Sequence, residues 1–125
     1  MNITPPYTIL PKNCNQINGI GVDIVSIDRI EKLLNRFDTR FKRKVFTKAE
    51  QAYCKNCAAC YAKRFAAKEA ALKALGTGLA KGATWHSIEI KNNELGKPEL
   101  YLHQKQKGHI SLSDEPPYAI AFVIL

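Results

Sequence analysis

The chain has 125 residues, 46% hydrophobic and 24% charged, with 19 Lys or Arg against 11 Asp or Glu and a net charge of +8. That size and balance fit one globular domain and leave little chain for a second. No apolar run approaches the roughly 20 residues of a membrane-spanning helix, and there are no internal repeats or low-complexity segments.

Residues 1–17 contain Pro5, Pro6 and Pro11 and one basic residue, Lys12. They lack the apolar core of a secretory signal and the arginine-rich pattern of a transit peptide. We expect an irregular N-terminal extension ahead of a domain over 18–125, in a cytoplasmic protein. Gly19-Ile20-Gly21-Val22-Asp23-Ile24-Val25 has the alternation of a strand. Ile20, Val22 and Ile24 take one face. Asp23 shares the other with two glycines, where backbone and ligand can come close. Asp28-Arg29-Ile30-Glu31 has the spacing of a capping box. Apolar residues at Ile27, Ile30, Leu34, Phe37 and Phe41 predict an amphipathic helix over 27–43. Its other stripe is cationic: Arg29, Lys32, Arg36, Arg40 and Arg43. Residues 29–48 carry eight Lys or Arg against two acids, Glu31 and Asp38. A surface this basic attracts an acidic partner, whether nucleic acid, membrane or protein.

Thr47-Lys48-Ala49-Glu50 is a second capping box, predicting a helix through the cysteine segment. Cys54, Cys57 and Cys60 are spaced like part of a metal motif, to which Cys14 could add a fourth ligand. Zinc sites, however, usually split their ligands into two separated pairs, and no histidine lies near. Reduced thiols are the expectation for a cytoplasmic protein. From about Tyr61 to Leu75 an alanine-rich run predicts the strongest helix, with Gly76 as its C' residue. Its hundred-degree step places Glu69 beside Phe65 and Leu72 on the apolar stripe. An acid there needs a cation, and Arg64, Lys68, Lys73 or a bound metal ion could serve. Taken singly, Glu69 and Lys73 also read as an ordinary surface pair, and Asp23 as a turn former or cap. Beyond Gly76–Gly82 the period becomes that of strands: Trp85–Lys91, Glu99–Leu102, His109–Leu112 and Tyr118–Ile124. Breaks fall at Asn92-Asn93, Gly96-Lys97-Pro98 and Pro116-Pro117. The order predicts an α+β domain with helices packed on a mostly antiparallel sheet.

In the glycine motif, in Ile27-Asp28-Arg29-Ile30, and above all in Lys63-Arg64-Phe65-Ala66-Ala67-Lys68-Glu69-Ala70 running into Lys73-Ala74-Leu75-Gly76-Thr77-Gly78, the chain resembles the holo-acyl-carrier-protein synthases. These are the small 4'-phosphopantetheinyl transferases. Ile88-Glu89-Ile90, Gly96-Lys97-Pro98, and His109-Ile110-Ser111-Leu112-Ser113 ahead of Tyr118-Ala119 follow in the family's order, so the likeness spans about 18–125. The extension over 1–17 is unusual for the family. The resemblance implies the 4'-phosphopantetheinyl transferase fold. It also implies transfer of the 4'-phosphopantetheine arm of coenzyme A to a serine of apo acyl carrier protein, releasing adenosine 3',5'-bisphosphate, in support of fatty acid biosynthesis. Such phosphoryl transfer is catalysed mainly by positioning and charge neutralisation. Mg²⁺ suits a few carboxylates with phosphate oxygens and water.

By the same resemblance Asp23 and Glu69 are metal positions, and Glu69 and Lys73 are catalytic. Lys73 holds a phosphate and offsets charge on the leaving group. Arg64 binds nucleotide phosphate, and Lys68 is either a second contact or part of a solvated helix face. Gly96, Lys97 and Pro98 line the adenine end, although by composition they are simply a turn. The serine proton goes to Glu69 or to a metal-bound water. Arg29, Arg36 and Arg40 dock the acidic carrier protein, and a homotrimer with interfacial sites is implied. The residue after the His-x-Ser-x-Ser segment is His in some members and Asp in others; here it is Asp114, to which no role is carried over. His109 reads equally as structural or functional. A nucleic-acid-binding module is the competing reading, but the aromatics are not interleaved with the basic stripe and no binding motif occurs. A member that binds coenzyme A without transferring its arm is a third reading, against which Asp23, Glu69 and Lys73 stand together.

Overall fold

A computed structural model describes residues 16–125. Strand β1 (Ile20–Ser26) runs into helix α1 (Ile27–Val45), followed by α2 (Lys48–Cys54) and α3 (Ala58–Leu75). A 3-10 turn (Trp85–Ser87) then leads to β2 (Ile88–Asn92), β3 (Pro98–Leu102), β4 (Lys105–Gln106), β5 (His109–Glu115) and β6 (Tyr118–Ile124). The strands form two antiparallel three-stranded sheets, β1-β6-β5 and β2-β3-β4. This is the expected α+β class. Trp85–Ser87 is the one predicted strand portion that is helical instead, because Thr84 and Ser87 cap each other reciprocally. No helix among the described residues is long and apolar enough to cross a membrane.

Helix α3 is the axis of the molecule, packed on β1 and β6 on one side and on α1 on another. Its alanines at 66, 67, 70, 71 and 74 are buried, as are Ala119, Ala121 and Val123 of β6, on which the helix packs. Small residues on both surfaces let backbone approach backbone. At Gly21 the approach is so close that a Cβ would lie 1.9 Å from the Ala70 carbonyl oxygen, and at Gly19 2.0 Å from that of Ala74. The sequence left this face open to backbone or ligand; the helix occupies it. The opposite face of β1 carries the larger apolar side chains outward, with Ile20 62% and Ile24 60% exposed.

The caps differ in detail from their sequence patterns. Ser26, not Asp28, caps α1, accepting from the Arg29 amide at 3.2 Å, and Asp28 lies in the first turn. The α1 stripe buries Ile27, Ile30 and Leu34, but Phe37 is exposed. Helical phase breaks one residue later, at Asp38 (φ 26°, ψ −101°). The Thr47/Glu50 capping box forms as expected. Its helix stops at Cys54, where Lys55 turns left-handed and the chain doubles back. That reversal brings Cys60 to Cys54, and the two form a disulfide instead of the reduced thiols expected. Cys57 is free and exposed, its Sγ accepting from the Cys60 amide at 3.3 Å. Cys14 lies outside the described residues. Gly76 ends α3 at φ 76°, its amide bonded to the Leu72 and Lys73 carbonyls, as the sequence predicts.

One ion pair sits wholly inside. Lys68 Nζ lies 2.8 Å from Glu50 Oε1, with both side chains fully buried. Lys68 also donates to the carbonyls of Trp85 (2.8 Å) and Ile88 (2.7 Å), which occupies all three ammonium hydrogens. Glu50 accepts in addition from the amides of Thr47 and Ile90. Lys68→Met would leave the Glu50 carboxylate buried without its cation. We expect a loss of about 3–5 kcal/mol in urea unfolding, and a double change of Glu50 and Lys68 to apolar residues should recover much of it.

Candidate active site

Strand β1 and helix α3 place Asp23, Glu69 and Lys73 in one cluster although about fifty residues separate them. Lys73 Nζ is 3.1 Å from Asp23 Oδ1 and 2.9 Å from the Val22 carbonyl oxygen. The close seating of Gly19 and Gly21 on α3 brings the next residue of that face, Asp23, alongside the helix. Glu69, one turn before Lys73, is half-buried. Burial pushes its carboxyl above the ordinary value of 4.5, and the neighbouring Asp23 charge adds to the rise. Lys73 and Arg29 pull it partly back. Two neighbouring carboxylates beside one lysine form an oxygen donor set of the character Mg²⁺ prefers. From Glu69 and Lys73 an open cleft runs over Leu72, Gly76, Gly78, Leu79 and Trp85. The apolar lining was not singled out by sequence, because those residues read as helix end and loop.

A second cluster forms farther back on α3. Arg64 is only 2% exposed. Its guanidinium lies over the Tyr53 ring, 4.3 Å from the centroid, with Nη1 3.5 Å from Cys60 Sγ and Nη2 bonded to Asn92 Oδ1. Nε has no partner. Burial lowers the Arg64 pKa from its ordinary value, with Glu50 opposing. The Gly96-Lys97-Pro98 turn is reached through Asn92, whose Nδ2 donates to the Gly96 carbonyl at 2.9 Å. Arg64 and the turn are thus linked through one side chain.

Lys68 does not join them. Its ammonium is consumed by Glu50, Trp85 and Ile88, so it is neither a phosphate contact nor part of a solvated face. Its position between Arg64 and Leu72, four residues from each, was the available sign that it faces inward. Glu50 was seen only as a cap; its burial depends on distant Ile90 and Lys68. His109 is exposed on β5, and Asp114 pairs with Lys63 at 2.8 Å.

The basic residues of α1 are divided by the Asp38 break. Arg29 and Arg36 line one groove with Lys32, Leu33 and Phe37. Arg40 lines a second with Phe37, Phe41, Arg43 and Lys44. Phe37 borders both, with the Arg36 guanidinium 5.1 Å from its ring centroid.

The chain belongs to the 4'-phosphopantetheinyl transferase superfamily, whose sequence profile matches residues 19–123. Within that class it is similar to holo-[acyl-carrier-protein] synthases. A holo-[acyl-carrier-protein] synthase of Geobacter metallireducens is 45% identical over 122 residues, covering 87% of this chain and 97% of that protein. The holo-[acyl-carrier-protein] synthase structure from Helicobacter pylori in complex with coenzyme A superposes with a TM-score of 0.78 at 35% identity, covering 83% of this chain and 96% of that one. The Bacillus anthracis holo-(acyl-carrier-protein) synthase, in complex with CoA (3',5'-ADP), gives 0.78 at 38% identity, covering 87% and 96%.

The Glu69 carboxyl makes a test of this electrostatic picture. Its folded pKa lies above its unfolded one, so between the two values the folded chain binds more protons than the unfolded chain. Stability therefore falls as pH climbs through that window. In metal-free protein, Glu69→Gln should raise the melting temperature at neutral pH and give no gain below 4.5, the ordinary value. Thermal denaturation across that range checks the sign.

Proposed function

We propose that this protein transfers the 4'-phosphopantetheine arm of coenzyme A to a serine of apo acyl carrier protein, with Mg²⁺ held by Asp23 and Glu69. The observation that carries this reading is the convergence of Asp23, Glu69 and Lys73 from β1 and α3 beside an open cleft. The coenzyme A complexes of the Helicobacter and Bacillus relatives support the choice of co-substrate. The domain over 18–125 carries the activity, and the setting is cytoplasmic fatty acid biosynthesis.

When bound, Mg²⁺ supplies charge neutralisation at the pyrophosphate. Glu69, half-buried beside Asp23 at the mouth of the cleft, is placed to accept the proton of the attacking serine hydroxyl. The serine oxygen bonds to the phosphorus that bears the pantetheine arm. The bond from that phosphorus to the nucleotide oxygen breaks, and adenosine 3',5'-bisphosphate departs. Lys73 is poised to exchange Asp23 for a phosphate oxygen and to offset the leaving group's charge. Arg64, Gly96, Lys97 and Pro98 hold the nucleotide end. The carrier protein lies along α1, with Arg29 and Arg36 in one groove and Arg40 in the other. Arg29 acts at both places, since its charge also reaches Glu69.

The outward face of β1 and β6 supports a homotrimer. Ile20, Val22, Ile24, Tyr118, Ile120 and Phe122 are all exposed there. Val22 pairs with Phe122 and Ile24 with Ile120 across the strands, which makes the patch continuous. An apolar patch of this extent marks an association surface. Ile24→Glu should dissociate the assembly to monomers, as read by light scattering on a sizing column.

Intact-mass spectrometry of apo acyl carrier protein with coenzyme A and Mg²⁺ tests the reaction. We expect a gain of one phosphopantetheine, abolished by chelator and by Asp23→Ala. Coenzyme A binding with no transfer to any of several carrier proteins would sink the catalytic assignment. Charge reversal of Arg29 and Arg36 should raise KM for the carrier protein by about tenfold or more and flatten its salt dependence. Oligonucleotide binding lost in the same variants, with transfer intact, would favour the nucleic-acid reading instead.

A further inference from the structure

Asn92, the last residue of β2, has no part in the reading above, yet it stands between two of its components. Its Oδ1 accepts from Arg64 Nη2, and its Nδ2 donates to the Gly96 carbonyl oxygen at 2.9 Å. The amide cannot be turned over, because its NH₂ would then face the guanidinium and its oxygen a carbonyl. The neighbouring Asn93 does a different job. Its Oδ1 accepts from the amides of Leu95 and Lys97, both at 2.9 Å, and its backbone closes the same turn. Asn93 therefore shapes the turn, and Asn92 ties it to α3.

Arg64 is a firm anchor for that tie. It is packed on Tyr53, bonded to Cys60, and almost entirely removed from the surface. A guanidinium so enclosed influences a ligand at the turn chiefly through what it holds in place. We infer that Asn92 is a positioning residue for coenzyme A, transmitting the fixed position of Arg64 to the Gly96-Lys97-Pro98 turn and so setting affinity for the nucleotide end. This rests on the assignment of Arg64 and the turn to that end. Asp23, Glu69 and Lys73 form the separate cluster of reacting groups, so the effect falls on binding and leaves turnover alone.

Two substitutions separate the bonds. Asn92→Leu removes both, while Asn92→Asp keeps an acceptor for Arg64 and loses the donor to Gly96, setting oxygen against oxygen. Steady-state kinetics of the Mg²⁺-loaded enzyme should show KM for coenzyme A raised about tenfold in both. The kcat should stay within about twofold, and KM for the carrier protein should not move. Arg64→Ala should raise the same KM, and adding Asn92→Leu to it should cost nothing further, because the two act in series. An unchanged KM in the Asn92 variants, with Arg64→Ala impaired, overturns the inference. Equal losses in kcat with a lowered melting temperature would make Asn92 merely structural and also overturn it. If Arg64→Ala and Lys97→Ala themselves leave KM unchanged, the nucleotide assignment has failed, and the inference falls with it.

Discussion

The buried pair of Glu50 and Lys68 is the constraint on which the remaining structure depends. Removing two charges from water is favourable only where every donor and acceptor finds a partner. Here the ammonium meets Glu50 and two carbonyls, and the carboxylate meets Lys68 and two amides. Those partners come from α2, α3, the 3-10 turn and β2. None of these elements can shift without uncovering a charge in the interior. Helix α3 is locked in rotation as well as in position, and its rotation decides where Glu69 points. With Lys68 held inward, the next residue lies a hundred degrees round the helix, at the edge of the cleft.

Close packing then supplies the second carboxylate. Gly19 and Gly21 allow β1 to lie directly on the α3 backbone, and Asp23, two residues farther along the same face, arrives beside Lys73. Any side chain at the glycines would lift the strand and separate the acids. Burial and the Asp23 charge raise the cost of charging Glu69, and the fold offsets this only in part, through Lys73 and Arg29. Stability and the proposed function compete there, since the carboxylate assigned to metal and proton is one whose charge the folded chain disfavours.

The molecule is polarised around α3. Glu69 and Lys73 serve one end of the cleft, while Arg64, Asn92 and the Gly96-Lys97-Pro98 turn form a second assembly toward the start of the helix. The basic grooves of α1 lie on another side, joined to the acidic cluster through Arg29. One helix thus sets the separation between these two assemblies, which suits the long co-substrate of the proposed reaction.

Local chemistry was legible from the chain alone. The α+β class, the Thr47/Glu50 box, the Gly76 terminus and the strands beyond Ser87 depend on neighbours a few residues apart and formed as expected, while Trp85–Ser87 became a 3-10 turn instead of strand. The pairing of Asp23 with Glu69 and Lys73 was legible through motif resemblance, since periodicity places each residue on a face but brings no two faces together. Other outcomes depended on distant partners. Lys68 turned from a ligand contact into an internal strut because Glu50, Trp85 and Ile88 reach it from elsewhere in the chain. The glycine face received a helix, and the cysteines paired because Lys55 reversed the chain between them. The sequence by itself determined which residues could carry charge, cap a helix or alternate in a strand, for those properties are local. Tertiary structure alone decided which charges were buried and which stayed free, because desolvation is a property of the assembled interior and not of any segment.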